Sequence, residues 1–204
     1  MAPEKERQMM KSSVVCISMA TGLAASAAVA QHDHGGDYIV AVDASGALAI
    51  EGDFDEPREL PAFNQNGING WFGDDPGFTN LDEDEPDEGL FMLGNGADIY
   101  FELVSLDPAV RVYTPLFDPM NPGDAFALGG SSFDEHPFWH IDSDDAAFDP
   151  DQTVWNVSWQ VVDLGSTGYA DSAVFTTQLT NIPAPGALTL VGGLSVLGMA
   201  RRRR

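Results

Sequence analysis

The sharpest chemical signal in this 204-residue chain comes from its four histidines. They form two close pairs, His32-Asp33-His34 and His136-Pro137-Phe138-Trp139-His140. Neutral imidazole is a good ligand for zinc and for copper, and pairing of every histidine points to a shared ion. In an extended segment residues two apart share a face, so His32 and His34 can reach one metal together. His136 and His140 cannot do so on a straight strand, where four residues at about 3.3 Å each separate them by about 13 Å. A turn at Pro137, whose ring fixes φ, would let them converge. If the N-terminal segment lies beside a strand at residues 138–142, His32, His34, His136 and His140 meet in one metal site. Asp33, Asp37 or Asp142 would then serve as further ligands or orient the rings. The competing reading leaves two idle histidines at a frayed terminus and His140 packed or on the surface. Position also weighs against two copper arrangements. With Gln31 as the first residue, a histidine brace lacks its N-terminal histidine, and an amino-terminal Cu(II) motif finds Asp33 third instead of histidine.

Carboxylates supply a second, harder set of ligands. The densest run lies within residues 74–88, where Asp82, Glu83, Asp84, Glu85, Asp87 and Glu88 offer oxygens suited to Ca²⁺. Its spacing does not fit an EF-hand, because Pro86 stands where a ligand belongs and no glycine follows at the required place. The same holds for Asp142, Asp144, Asp145, Asp149 and Asp151, so calcium ranks below zinc or copper and a solvated charge run is the default. Of 32 acidic and 9 basic residues, Glu4, Glu6, Lys5, Arg7, Lys11 and the arginines at 201–204 fall outside residues 31–182. The body keeps 30 acids against Arg58 and Arg111, a net of −28. Such a surface repels nucleic acid and anionic lipid, attracts cations, and keeps an exported protein hydrated.

Enzyme signatures are missing: there is no Gly-x-Ser-x-Gly elbow, no His-Glu-x-x-His, no phosphate loop and no dinucleotide fingerprint. The chain is therefore read as non-enzymatic. The alternative is a carbohydrate-binding module or a secreted glycan-active enzyme, with envelope or matrix polysaccharide as partner. Among Trp71, Trp139, Trp155 and Trp159, only Trp71, in a Gly-rich stretch, is expected at the surface as a stacking platform.

These side chains must be positioned by strands, because period-two patterning dominates and no long amphipathic helix is visible. In residues 153–163, Trp155, Val157, Trp159 and Val161 fall on one face, while Asn156, Ser158 and Gln160 fall on the other. Residues 172–180 place Ala173, Phe175, Thr177 and Leu179 together and complete a hairpin. Further strands are expected at 38–42, 47–51, 90–93, 98–106, 110–113, 125–128 and 138–142, with turns at Asn64-Gln65-Asn66-Gly67, Asp74-Asp75-Pro76-Gly77 and Asn121-Pro122-Gly123-Asp124. The expected fold of residues 31–181 is an all-β antiparallel sandwich, jelly-roll-like, with an open barrel as the runner-up.

Both ends carry addresses. Lys5, Arg7 and Lys11 precede an apolar stretch that closes on Ala28-Val29-Ala30, the pattern of a secretory signal peptide over residues 1–30 cleaved after Ala30. Cys16, the sole cysteine, lies inside it, so the mature body has neither disulfide nor thiol chemistry. At the other end, Pro183-Ala184-Pro185 is followed by an apolar run at 186–200 and four arginines. Fifteen apolar residues are short for a span, which needs about 20, and the arginines favour the cytoplasmic side. This order resembles the PEP-CTERM sorting signal of exosortase substrates, with alanine at 184 where the usual motif has glutamate. The resemblance implies delivery to the cell surface or extracellular matrix, with Pro183 and Pro185 marking the processing region and residues 182–204 removed. Export machinery and an exosortase-type enzyme would be the partners, and membrane contact would be limited to the transient C-terminal helix. The paired histidines and the segment Gly70-Trp71-Phe72-Gly73-Asp74-Asp75-Pro76-Gly77-Phe78 also resemble PEP-CTERM surface proteins of uncharacterised role, some grouped with zinc-regulated genes.

Overall fold

The computed structural model describes residues 36–181, and among them the chain is entirely β, with no helix long and apolar enough to cross a membrane. Residues 1–35 and 182–204, which hold both terminal addresses, Ala30, Pro183, Pro185, His32 and His34, lie outside the described residues. The strands are numbered along the chain and make three five-stranded sheets. The first contains β1 (Tyr38–Asp43), β2 (Leu48–Glu51), β6 (Phe78–Asn80), β7 (Leu90–Phe91) and β12 (Asp134–Glu135), in the order β12-β6-β1-β2, with β7 paired to the far end of β1. The second contains β4 (Ala62–Gln65), β5 (Ile68–Gly73), β9 (Val110–Tyr113), β10 (Pro119–Met120) and β13 (Phe138–Asp142), in the order β10-β9-β13-β5-β4. The third contains β3 (Arg58–Glu59), β8 (Ile99–Leu106), β11 (Ala125–Gly129), β14 (Val154–Asp163) and β15 (Phe175–Thr180), in the order β11-β8-β14-β15-β3. Pairing is antiparallel except for β1 with β6 and β3 with β15.

All three sheets turn one face into a single core. The alternation in β14 does what its sequence requires: Trp155, Val157, Trp159 and Val161 are fully buried, while Asn156, Ser158 and Gln160 are half-exposed. Its partners β8 and β15 add Ile99, Phe101, Leu103 and Leu179. Tyr38 and Val40 from the first sheet, with Val110, Val112, Trp139 and Ile141 from the second, close the same cluster. Aromatic rings dominate its centre, where Trp159 lies 4.9 Å from Phe78 and 5.0 Å from Tyr38. The polar tips are satisfied locally, since Trp159 Nε1–H donates to Thr177 Oγ1 at 2.8 Å and the Tyr38 hydroxyl sits 2.9 Å from that same oxygen. β1 is buried on both faces, because Ile39 and Ala41 pack with Leu81 on its other side.

Three expectations need correction. The last strand begins at Phe175, leaving Ala173 exposed, and the Ser172 hydroxyl instead folds inward to accept the Val161 N–H at 2.9 Å. Trp71 is not a surface platform: it lies on the inward face of β5, stacked 5.9 Å from Phe148 and packed on the core. The turn expected at 64–67 shrinks to Asn66-Gly67, whose φ values of 55° and 82° join Gln65 to Ile68 by a two-residue hairpin loop.

Candidate metal centre

The first sheet brings three strand ends together. β12 and β6 pair Glu135 with Phe78, and β6 and β1 pair Phe78 with Tyr38. Continuing both registers by one residue aligns His136, Gly77 and Asp37 in a row, with a glycine in the middle. The missing side chain is essential there. A Cβ on Gly77 would lie 2.4–2.6 Å from three atoms of the His136 ring, so the imidazole rests directly on the Gly77 backbone. Asp134, two residues before His136, projects to the same face. Asp37, Asp134 and His136 consequently offer ligand atoms that all lie within 4.8 Å of one another.

Asp37 and His136 are held in place, whereas the Asp134 side chain is 74% exposed and meets the site only through His136. The turn at 74–77, with a cis Asp75–Pro76 bond, is anchored when Trp139 Nε1–H donates to the Pro76 carbonyl at 3.0 Å and Tyr38 N–H donates to the Gly77 carbonyl at 3.0 Å. Asp37 accepts the Gly77 N–H on Oδ1 at 2.7 Å. His136 Nδ1 lies 2.9 Å from the Asp74 carbonyl, an acceptor, so Nδ1 carries the proton. Nε2 then faces the carboxylates, 3.3 Å from Asp134 Oδ1 and 3.8 Å from Asp37 Oδ2. Locking one ring nitrogen with a backbone carbonyl is how metal-binding histidines are oriented. Burial alone would lower the His136 pKa. The Asp74 carbonyl and the charges of Asp37 and Asp134 outweigh it and hold the imidazole above its ordinary value. A proton on Nε2 is thus the natural competitor of a metal ion.

Two of the three ligand–ligand separations are compatible with a tetrahedral zinc ion. Two ligands on a tetrahedral ion at about 2.0–2.1 Å are about 3.4 Å apart, close to the 3.3 and 3.8 Å seen here. One imidazole with two carboxylates is a borderline-hard set that also accommodates copper.

His140 does not join this cluster. Pro137 does break the strand, but it passes the chain from β12 in the first sheet to β13 in the second, carrying the two histidines to different surroundings. His140 is 3% exposed, lies 5.9 Å from Phe72 and 6.3 Å from Tyr113, and its Nε2 is 3.0 Å from the Asn69 carbonyl. It is a packed residue. Asp134 escaped the sequence reading, although the rule applied to His32 and His34, two apart on an extended segment, also pairs Asp134 with His136.

Some carboxylates of the other acidic runs accept backbone N–H groups of turns and loops. Asp84 caps Met92 N–H at 2.9 Å, Asp142 caps Asp144 N–H at 3.0 Å, and Asp145 caps Ala147 N–H at 2.7 Å while paired with Arg111. Glu51, Glu85 and Glu88 converge as a second, all-carboxylate group. Compared with protein-family models, curated proteins and solved structures, the chain matches none.

Proposed function

We propose that this is an exported, surface-sorted, non-enzymatic protein of the cell envelope or matrix whose body holds one divalent metal ion between His136, Asp37 and Asp134. Zinc is the first choice and copper the second. The observation that carries the reading is the His136 ring, seated on Gly77 with Nδ1 tied to the Asp74 carbonyl and Nε2 facing two carboxylates. The terminal sequences support export and sorting, and the net charge of the body, −28, supports attraction of cations. His34 stands three residues before Asp37, a reach of roughly 10 Å of extended chain. His34 is therefore the proposed source of a further ligand, whereas His140 is not. A core shared by three sheets supports a β-sandwich body, and a jelly-roll-like arrangement remains part of this proposal.

Equilibrium dialysis against Zn²⁺ tests it. The wild-type protein is expected to bind one ion tightly, with affinity down at least about tenfold in His136→Ala and Asp134→Asn and unchanged in His140→Ala. Equal binding by all three variants would reject the site.

A further inference from the structure

Among the described residues the second sheet ends at β4, and beside that edge lies a cleft of about 350 Å³ lined by Ala62, Phe63, Asn64, Asn69, Gly70 and Ser143. Its shape follows from one residue. Phe63 is paired with Gly70, whose φ of +122° and close approach to β13 admit no side chain, since a Cβ there would lie 2.1 Å from the Ile141 carbonyl oxygen. Bare backbone therefore stands opposite the Phe63 ring.

The lining gives the cleft one aromatic ring, Phe63, and a polar rim. Phe63, Phe72, Phe138 and Phe117 form a row across the sheet with successive centroids 5.3, 5.3 and 4.3 Å apart. The inner rings cover one another, and Phe63 is the end of the row beside polar groups. Asn69 Nδ2 donates to Asp144 Oδ2 at 2.5 Å, which fixes the amide and turns Oδ1 into an oriented acceptor. Among the described residues, the Asn64 amide and the Ser143 hydroxyl make no hydrogen bond, so donors and acceptors remain uncommitted around the ring.

An aromatic face rimmed by amides and a hydroxyl matches one kind of ligand, a sugar ring with an apolar C–H face and hydroxyls at its edge. The acidic body sets the charge of that ligand. With 30 acids against two cations, an anionic polymer or a second copy of this chain is repelled, and a neutral glycan is not. We propose that the cleft between β4 and β5 is a subsite for one residue of a neutral polysaccharide, independent of the metal centre.

Affinity electrophoresis of the exported protein in native gels containing hydroxyethyl cellulose, galactomannan, glycogen or alginate tests this directly. At least one neutral polymer is expected to retard the protein, with retardation weakened at least about fivefold in Phe63→Ala and in Asn64→Ala. EDTA and His136→Ala should leave it unchanged, which separates this site from the metal reading. Asn64 is exposed, so its variant decides the matter if Phe63→Ala fails to fold. Retardation by no neutral polymer, by alginate alone, or equally in the folded variants would overturn the proposal.

Discussion

Gly77→Ala is the most informative single change, because one methyl group is set against one ring. Gly77 is not among the glycines with positive φ, so alanine fits its backbone. The added Cβ would meet the His136 imidazole at 2.4–2.6 Å, where ordinary contact begins near 3.4 Å, so the ring must move by about 1 Å or leave. Leaving removes its hydrogen bond with the Asp74 carbonyl, about 0.5–1.5 kcal/mol, and ion pairs that are worth about 0–1 kcal/mol at a partly exposed site. Against this, replacing glycine lowers the entropy of the unfolded chain and contributes about 0.4–1 kcal/mol. At mid-range these terms leave a net loss of about 0.8 kcal/mol in urea unfolding of the metal-free protein. In a His136→Ala background the ring is gone and only the entropic gain remains, so the same substitution should stabilise by about 0.4–1 kcal/mol. The change of sign is the signature. Equal destabilisation in both backgrounds would show that Gly77 serves the turn and not the ring.

Two further outcomes follow from buried polar contacts. Thr177→Val strips the acceptor from Trp159 Nε1–H and the partner from the Tyr38 hydroxyl, both inside the core. A loss of about 2–4 kcal/mol is expected, seen as a fall in melting temperature on the order of 10 °C; a loss below about 1 kcal/mol would refute the network. Asp163 concerns pH. Burial alone would raise its pKa, but the Thr167 hydroxyl and the Asp98 and Gly165 amides outweigh this and hold the carboxyl below its ordinary value. A depressed folded pKa contributes stability above the unfolded value, about 3.9, that is lost as pH falls through the folded value. Asp163→Asn should flatten that part of the acid limb in melts between neutral pH and pH 3, and an unaltered acid limb would contradict the assignment.

Much of the fold was legible because hydrophobic alternation is a local property. β9 and β13 fall where the pattern put them, and β14 differs by one residue at its start. The strands that went unread are short or edge elements such as β3, β4, β10 and β12, whose stability comes from pairing partners distant in sequence and not from their own composition. β5 was hidden because its glycines, Gly70 and Gly73, look like loop residues until a neighbouring backbone occupies the space. The site was half legible for the same reason. His136 and Asp37 stood out as chemistry, but their meeting depends on a parallel β1–β6 pair and an antiparallel β6–β12 pair, and long-range pairing leaves no mark on local sequence. His140 shows the converse, since proximity along the chain placed it with His136 while the passage from one sheet to another at Pro137 parted them.

Anomalous diffraction at the zinc edge, from crystals of the protein grown with one equivalent of Zn²⁺, tests the proposed metal centre most directly. The expected result is one dominant peak bonded to His136 Nε2 and to the carboxylates of Asp37 and Asp134, at about 2.0–2.2 Å from each. A dominant peak among Glu51, Glu85 and Glu88, a peak at His140, or none on the protein would contradict it.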